Sequence, residues 1–237
     1  MSLKLDILVI GAHADDAEIG MSGTIAKQIA AGYQVGIIDL TEAELSSNGN
    51  VELRKQEAAA ASQVLGLSYR GNLGLPDRSL QATPENIAAV TEAIRSLSPG
   101  IVFAPYWEDR HPDHVAASRL VEEAVFNAKL RRYMPEIPAI PVPDLYFYFI
   151  NDWRTPDILV DVSEFYRLKE QALECYRSQF GQAAPGEDVA PTPLNQGYVE
   201  RVKARDALLG QRKLIAYAEG FAVKSPYLIE LFGSSST

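Results

Sequence analysis

Apolar runs of strand length alternate with segments of helical periodicity along most of this 237-residue chain, and no other property limits its possible folds so strongly. Residues 5–10 (LDILVI) form a nearly continuous apolar run, as expected of a strand covered on both faces, and a helical segment over 17–31 stops at Gly32. A second strand is expected over 35–40, a helix over 51–65, strands over 69–73 and 101–104, and a helix over 84–97 between those two. A further helix runs from Asp113 to about residue 129. The following MPEIPAIPVP is too rich in proline for regular helix or a central strand and reads as a loop. Strands over 144–150 and 157–162, a helix through Gln179, a Gly/Pro-rich loop near 181–197 and a last helix reaching Ala218 complete the pattern. Such alternation predicts a single α/β domain over 1–237, with a Rossmann-like, mostly parallel sheet and helices on both faces. Residues 232–237 have little apolar surface to bury and are expected to form a flexible tail.

Composition removes several classes of partner. Acidic residues outnumber basic ones by 31 to 22, which leaves no broad positive surface to displace counterions, so nucleic acid is not expected. No apolar run reaches the roughly 18 to 20 residues that cross a bilayer, and no membrane partner is expected. The opening Met-Ser-Leu-Lys leads directly into the first strand without the features of a secretory signal, which points to the cytoplasm. Cys175 is the sole cysteine, so it forms no internal disulfide and reads as a reduced, packed side chain.

The chain has three histidines, and all fall in two short motifs, His13-Ala14-Asp15-Asp16 and His111-Pro112-Asp113-His114. Each motif follows a strand-like run and precedes a helix. Ligands of open α/β sheets bind at the C-terminal ends of the strands, so the two motifs meet if their strands are neighbours. Helix capping would account for the aspartates but needs no histidines. Two imidazoles and one carboxylate give zinc three protein ligands and leave a position for water. The same set is the facial triad of non-haem Fe(II) oxygenases. Spacing alone does not separate Asp15 from Asp16 as the ligand.

GAHADDAEIG and HPDH resemble the two motifs of the LmbE-like (PIG-L) deacetylases, and TEAELSSNGNVELRKQEAAAA is similar to the loop and helix between them. The resemblance implies a zinc enzyme that hydrolyses N-acetylglucosamine derivatives. It makes His13, Asp16 and His114 the metal ligands and Asp15 the general base. It makes His111, oriented by Asp113, the group that stabilises the oxyanion or protonates the leaving amine. DRHPDH and TPLNQGYVE resemble the bacillithiol biosynthesis deacetylases, which act on N-acetylglucosaminyl malate. Ala14 stands where the broader family has proline, and Ala43 where it often has glycine. Arg54 and Arg110 are candidates to hold substrate carboxylates or polar sugar groups, because a guanidinium pairs two-pronged with a carboxylate. Tyr198 is a candidate to approach the substrate from a loop, although a tyrosine opening a helix also serves packing. The expected cofactor is Zn2+, with Fe2+ able to occupy the same donors, and the expected partner is a small N-acetylated amino sugar. Similarity also implies a homo-oligomer, with a hexamer as one form. Three rivals stand beside this reading: a mononuclear non-haem Fe(II) enzyme, a noncatalytic metal- or sugar-binding protein, and a dinucleotide-binding module. The last is disfavoured because GAHADDAEIG lacks the G-x-G-x-x-G spacing.

Overall fold

The computed structural model describes residues 3–141, 143–181 and 189–226. Four strand–helix units come first: β1 (Ile7–Gly11) and α1 (Asp16–Ala30), β2 (Val35–Thr41) and α2 (Val51–Leu65), β3 (Tyr69–Leu75) and α3 (Pro84–Leu97), β4 (Ile101–Pro105) and α4 (Pro112–Ala128). They are followed by β5 (Asp144–Tyr148), β6 (Ile158–Asp161), α5 (Tyr166–Glu174), the short α6 (Arg177–Phe180), α7 (Tyr198–Gln211) and β7 (Ala218–Ala222). The strands form one seven-stranded sheet in the order β3-β2-β1-β4-β5-β7-β6. Pairing is parallel from β3 to β5, and β7 runs antiparallel to both β5 and β6. This is the α/β fold expected from the alternation.

The order reverses at β1, whose neighbours are β2 on one side and β4 on the other, with Ile7 opposite Ile101 and Val9 opposite Phe103. The two histidine motifs therefore follow adjacent strands, and the loops between them open a crevice at the sheet's C-terminal edge. Alternation along β1 explains why its whole length is apolar. Leu8 and Ile10 enter one core with Val90 and Ile94 of α3 and Leu120 and Val121 of α4. Ile7 and Val9 enter the other with Ile19 and Ile25 of α1, Ala61 of α2 and Leu173 of α5.

Local chemistry sets the helix boundaries. The Asn50 side chain accepts from Leu53 N–H at 2.9 Å to start α2, which ends at Gly66 with a φ of 74°. Thr83 caps α3, with Pro84 at its first position. The proline-punctuated segment is a loop, and Arg95 of α3 anchors it. Its buried guanidinium donates to the carbonyls of Asn127, Ala128, Leu130, Tyr133, Met134 and Ile137, so one side chain both closes α4 and shapes the connection to β5.

Two expectations differ from the structure. The helix expected to end at Gln179 is broken into a 3-10 turn (Ser163–Phe165), α5 and α6. Tyr176 leaves the helical backbone at the break, and its hydroxyl donates to Glu18 Oε1 at 2.8 Å. The last helix does not reach Ala218, because α7 stops at Gln211 and Ala218–Ala222 is strand β7. A strand reading AEGFA is hidden in the sequence, since a buried strand should not carry a charge. Glu219 is nevertheless buried, accepting from Gly23 N–H at 3.0 Å, Thr24 N–H at 2.6 Å and Lys169 Nζ at 2.7 Å. Lys169 also meets Asp206 Oδ2 at 2.8 Å. The expected tail at 232–237 lies outside the described residues. Among the described residues, no helix is long and apolar enough to cross a membrane.

Lys169, Asp206 and Glu219 all have fully buried side chains and join α5, α7 and β7. Removing the cation leaves two buried carboxylates short of charge compensation, Glu219 with only two backbone amides and Asp206 with Arg205 and the Tyr166 hydroxyl. Lys169→Met is therefore expected to cost about 3 to 5 kcal/mol in urea unfolding. A loss below about 1 kcal/mol would show that the carboxylates find other partners.

Candidate active site

His13, Asp15 and Asp16 occupy the turn from β1 into α1. Asp15 precedes the helix with a φ of 117°, a conformation L side chains rarely adopt, and its carboxylate is buried. Asp16 opens the helix, and one of its oxygens accepts from His13 N–H at 2.9 Å. The second motif begins α4, where Asp113 and His114 lie in the first turn. Asp16 Oδ1 stands 3.1 Å from His114 Nε2, and Asp16 Oδ2 stands 3.6 Å from His13 Nδ1. Ring nitrogens of His13, His111 and His114 lie within 4.8 Å of one another. The structure thus brings both motifs together.

The far nitrogens of the same two rings are backed by carboxylates. His114 Nδ1 is 3.0 Å from Asp109 Oδ1. His13 Nε2 is 3.2 Å from Asp77 Oδ1 and 3.5 Å from Asp113 Oδ2. Each imidazole therefore turns one nitrogen to a supporting carboxylate and the other to Asp16. Carboxylate–imidazole pairs of this kind orient metal ligands and raise their basicity. The close donors that could hold a divalent cation are His13, His111 and His114, with Asp16 beside His13 and His114, and imidazole with carboxylate suits either zinc or Fe(II). Asp77 with Asp113 and His13 forms a second group of close donors. Asp77 and Asp109 were not singled out in the sequence. Both follow the C-terminal ends of strands, as the histidine motifs do, and that position was the available signal.

Residues 8–125 match the model of the family described as PIG-L, GlcNAc-PI de-N-acetylase. A diacetylchitobiose deacetylase of Thermococcus kodakarensis is 30% identical over 189 residues, covering 73% of this chain and 70% of that one. The chain belongs to the PIG-L family. A probable N-acetyl-alpha-D-glucosaminyl L-malate deacetylase 2 of Bacillus subtilis is 26% identical over 190 residues, covering 75% of this chain and 84% of that one. The solved structure of a conserved protein from Thermus thermophilus is 42% identical, with a TM-score of 0.87 over 95% of this chain and 97% of that one. Membership makes this PIG-L protein a deacetylase.

The surroundings of His111 differ from the sequence expectation. Asp113 was expected to orient this ring, but its carboxylate faces His13 and the Arg78 N–H, the latter at 2.9 Å. The Asp113 N–H instead donates to His111 Nδ1 at 3.3 Å, so the ring caps α4. The physical reason is the position of His111 just before the helix, where a side-chain acceptor meets the first free amides. With Nδ1 accepting, a neutral His111 carries its proton on Nε2.

Electrostatics divides the three histidines of this PIG-L site. Burial pushes His111 down to about 4, and the positive charge of His114 and His13 pushes the same way, so this ring is neutral at pH 7. Burial also opposes charge on His114, but Asp16 and Asp109 outweigh it and hold the pKa at about 9. His13 is likewise held well above its ordinary value, because Asp113, Asp16 and Asp77 overcome burial. Asp16 lies well below the usual carboxylate range, where His114 and His13 outweigh desolvation. Asp15 behaves differently. Burial raises it to about 6, against the pull of Arg54.

A cavity of about 700 Å³ opens over these groups, large enough for an amino sugar carrying a substituent. Arg54, Arg110 and Tyr198 all line it. Arg54 is buried, with Nη2 3.2 Å from Asp15 Oδ2 and bonded to the Ala14 carbonyl. Its nearest charge is therefore the candidate base. Arg110 is exposed and donates to Asn151 Oδ1 at 2.9 Å. The Tyr198 hydroxyl lies 3.0 Å from the same Asn151 oxygen.

Three histidines in the whole chain allow each ring to be followed by NMR in metal-free protein. One ring should titrate near pH 4 and another near pH 9. Asp77→Asn removes a charge that favours protonated His13, so the His13 midpoint should fall. A His111 midpoint at or above 6.5 would contradict this electrostatic picture.

Proposed function

We propose that this PIG-L protein hydrolyses the N-acetyl group of an N-acetylglucosamine derivative, with N-acetylglucosaminyl malate, a bacillithiol precursor, as the leading substrate. The observation that carries the reading is the meeting of Asp15, His111 and the His13–Asp16–His114 donor set on one cavity. In this reading the last three hold a divalent cation, zinc or Fe(II). When bound, it supplies Lewis acidity that lowers the pKa of water and polarises the amide carbonyl.

Asp15 takes a proton from the attacking water and returns it to the departing nitrogen. A pKa raised to about 6 suits both duties, since the group is mostly ionised at neutral pH yet basic enough to hold the proton. Arg54 favours the ionised form of Asp15 from behind. His111, neutral with its proton on Nε2, donates a hydrogen bond to the oxygen on which negative charge develops. This role fits its depressed pKa better than proton delivery does, because a ring with a pKa of about 4 is rarely charged at pH 7. The probable malate-glycoside deacetylase of Bacillus subtilis supports the substrate, and the chitobiose deacetylase of Thermococcus kodakarensis makes a neutral disaccharide the necessary comparison.

Acetate release from N-acetylglucosaminyl malate should exceed that from free N-acetylglucosamine and stop with a chelator. Asp15→Ala should keep most of the metal and lose about 10²- to 10⁴-fold in turnover, whereas His13→Ala should lose the metal itself. Equal metal loss in both variants would undo the assignment of roles.

The acid limb of the pH profile gives an independent check. Activity falls when Asp15 becomes protonated, and Arg54 lowers the pKa of Asp15. Arg54→Met should therefore move the acid limb of kcat/KM to higher pH, by about one unit. A limb that stays in place would show that Asp15 is not the group being titrated.

A further inference from the structure

The charged groups lining the cavity are not equally matched. Asp15 meets Arg54 at 3.2 Å, Asp16 meets His114 at 3.1 Å, and Asp77 meets His13 at 3.2 Å. Among the described residues, two lining guanidiniums have no such close partner. That of Arg110 bonds to the neutral Asn151. That of Arg78 has Nη1 3.6 Å from Asp113 Oδ2, beyond a good hydrogen bond, and this oxygen is also shared with His13. The Arg78 side chain is 46% exposed.

The backbone holds Arg78 in place. Its φ of 60° lies in the left-handed region that glycine enters freely, so the turn itself does not call for a long side chain. Its N–H donates to Asp113 Oδ2 at 2.9 Å, and the same oxygen is 3.5 Å from His13 Nε2. One carboxylate thus links the Arg78 backbone to the candidate metal site. In a chain of net charge −9, an anionic substrate is repelled at long range and needs local cations where it docks.

We infer that Arg78 is a specificity-determining residue, whose guanidinium receives a carboxylate or phosphate on the part of the substrate beyond the acetamido group. The inference rests on the deacetylase reading and deepens it: Asp15 and His111 face the amide, and Arg78 with Arg110 faces the charged substituent. A guanidinium offers a planar fork that a carboxylate or phosphate can accept with two oxygens.

The test compares three substrates by release of free amine: N-acetylglucosaminyl malate for carboxylates, N-acetylglucosamine 1-phosphate for phosphate, and N,N'-diacetylchitobiose as the neutral case. In Arg78→Gln, the preference in kcat/KM for an anionic over the neutral substrate should fall about tenfold, through KM rather than kcat. Arg78→Lys, which keeps the charge but not the fork, should recover part of that preference. Whichever anion loses more in Arg78→Gln identifies the group that is bound. KM rising equally for anionic and neutral substrates, or kcat falling for both, would mean that Arg78 acts through Asp113, and the inference would fail. It would also fail if wild-type protein preferred the neutral sugar, although the deacetylase reading would then stand. Amine release from none of the three would overturn both.

Discussion

Burial of negative charge is the constraint around which the site is organised. Asp15, Asp16, Asp77, Asp109 and Asp113 are gathered at the ends of β1, β3 and β4, each with a side chain almost closed to water. Ionised carboxylates removed from solvent cost several kcal/mol each unless something positive answers them. Here the answer comes from two raised histidines, from Arg54, and, in the proposed function, from a divalent cation. The same crowding separates the histidines into roles. His13 and His114 sit among carboxylates and favour charge or a metal, whereas His111 sits beside those two rings and stays neutral.

The fold was readable because its logic is local. The strands that carry the motifs are apolar throughout since both faces are covered, and Gly32, Gly66 and Pro84 mark helix ends at which the backbone has few other choices. Adjacency of β1 and β4 was the step that had to be inferred, and the reversed strand order supplies it. What stayed hidden depended on distant partners. AEGFA does not read as a strand until Lys169, Gly23 and Thr24 are seen to satisfy Glu219. The break at Tyr176 likewise depends on Glu18, 158 positions away.

The site follows the same division. Its histidines announced themselves by rarity and position, because three residues in two matching contexts leave little room for coincidence. Asp77 and Asp109 did not, since single aspartates after strands are ordinary turn residues until a ring nitrogen is found beside them. Asp113 is the instructive case. Its neighbour in sequence is His111, yet its carboxylate serves His13, because the start of α4 turns the side chain and the amide of one residue toward different rings. Sequence proximity pointed to the right residue and the wrong contact.

His111 closes the start of α4 with Nδ1, which leaves Nε2 for the donor role in the proposed function. A ring so engaged cannot swing away without loosening the helix's first turn, so its orientation is settled before any substrate arrives. An enzyme that aims a dipole in advance avoids spending reaction energy on turning it during the rate-limiting moment. In the proposed function, that preparation is supplied by ordinary secondary structure: the stiffness of a helix end becomes the rigidity of a donor.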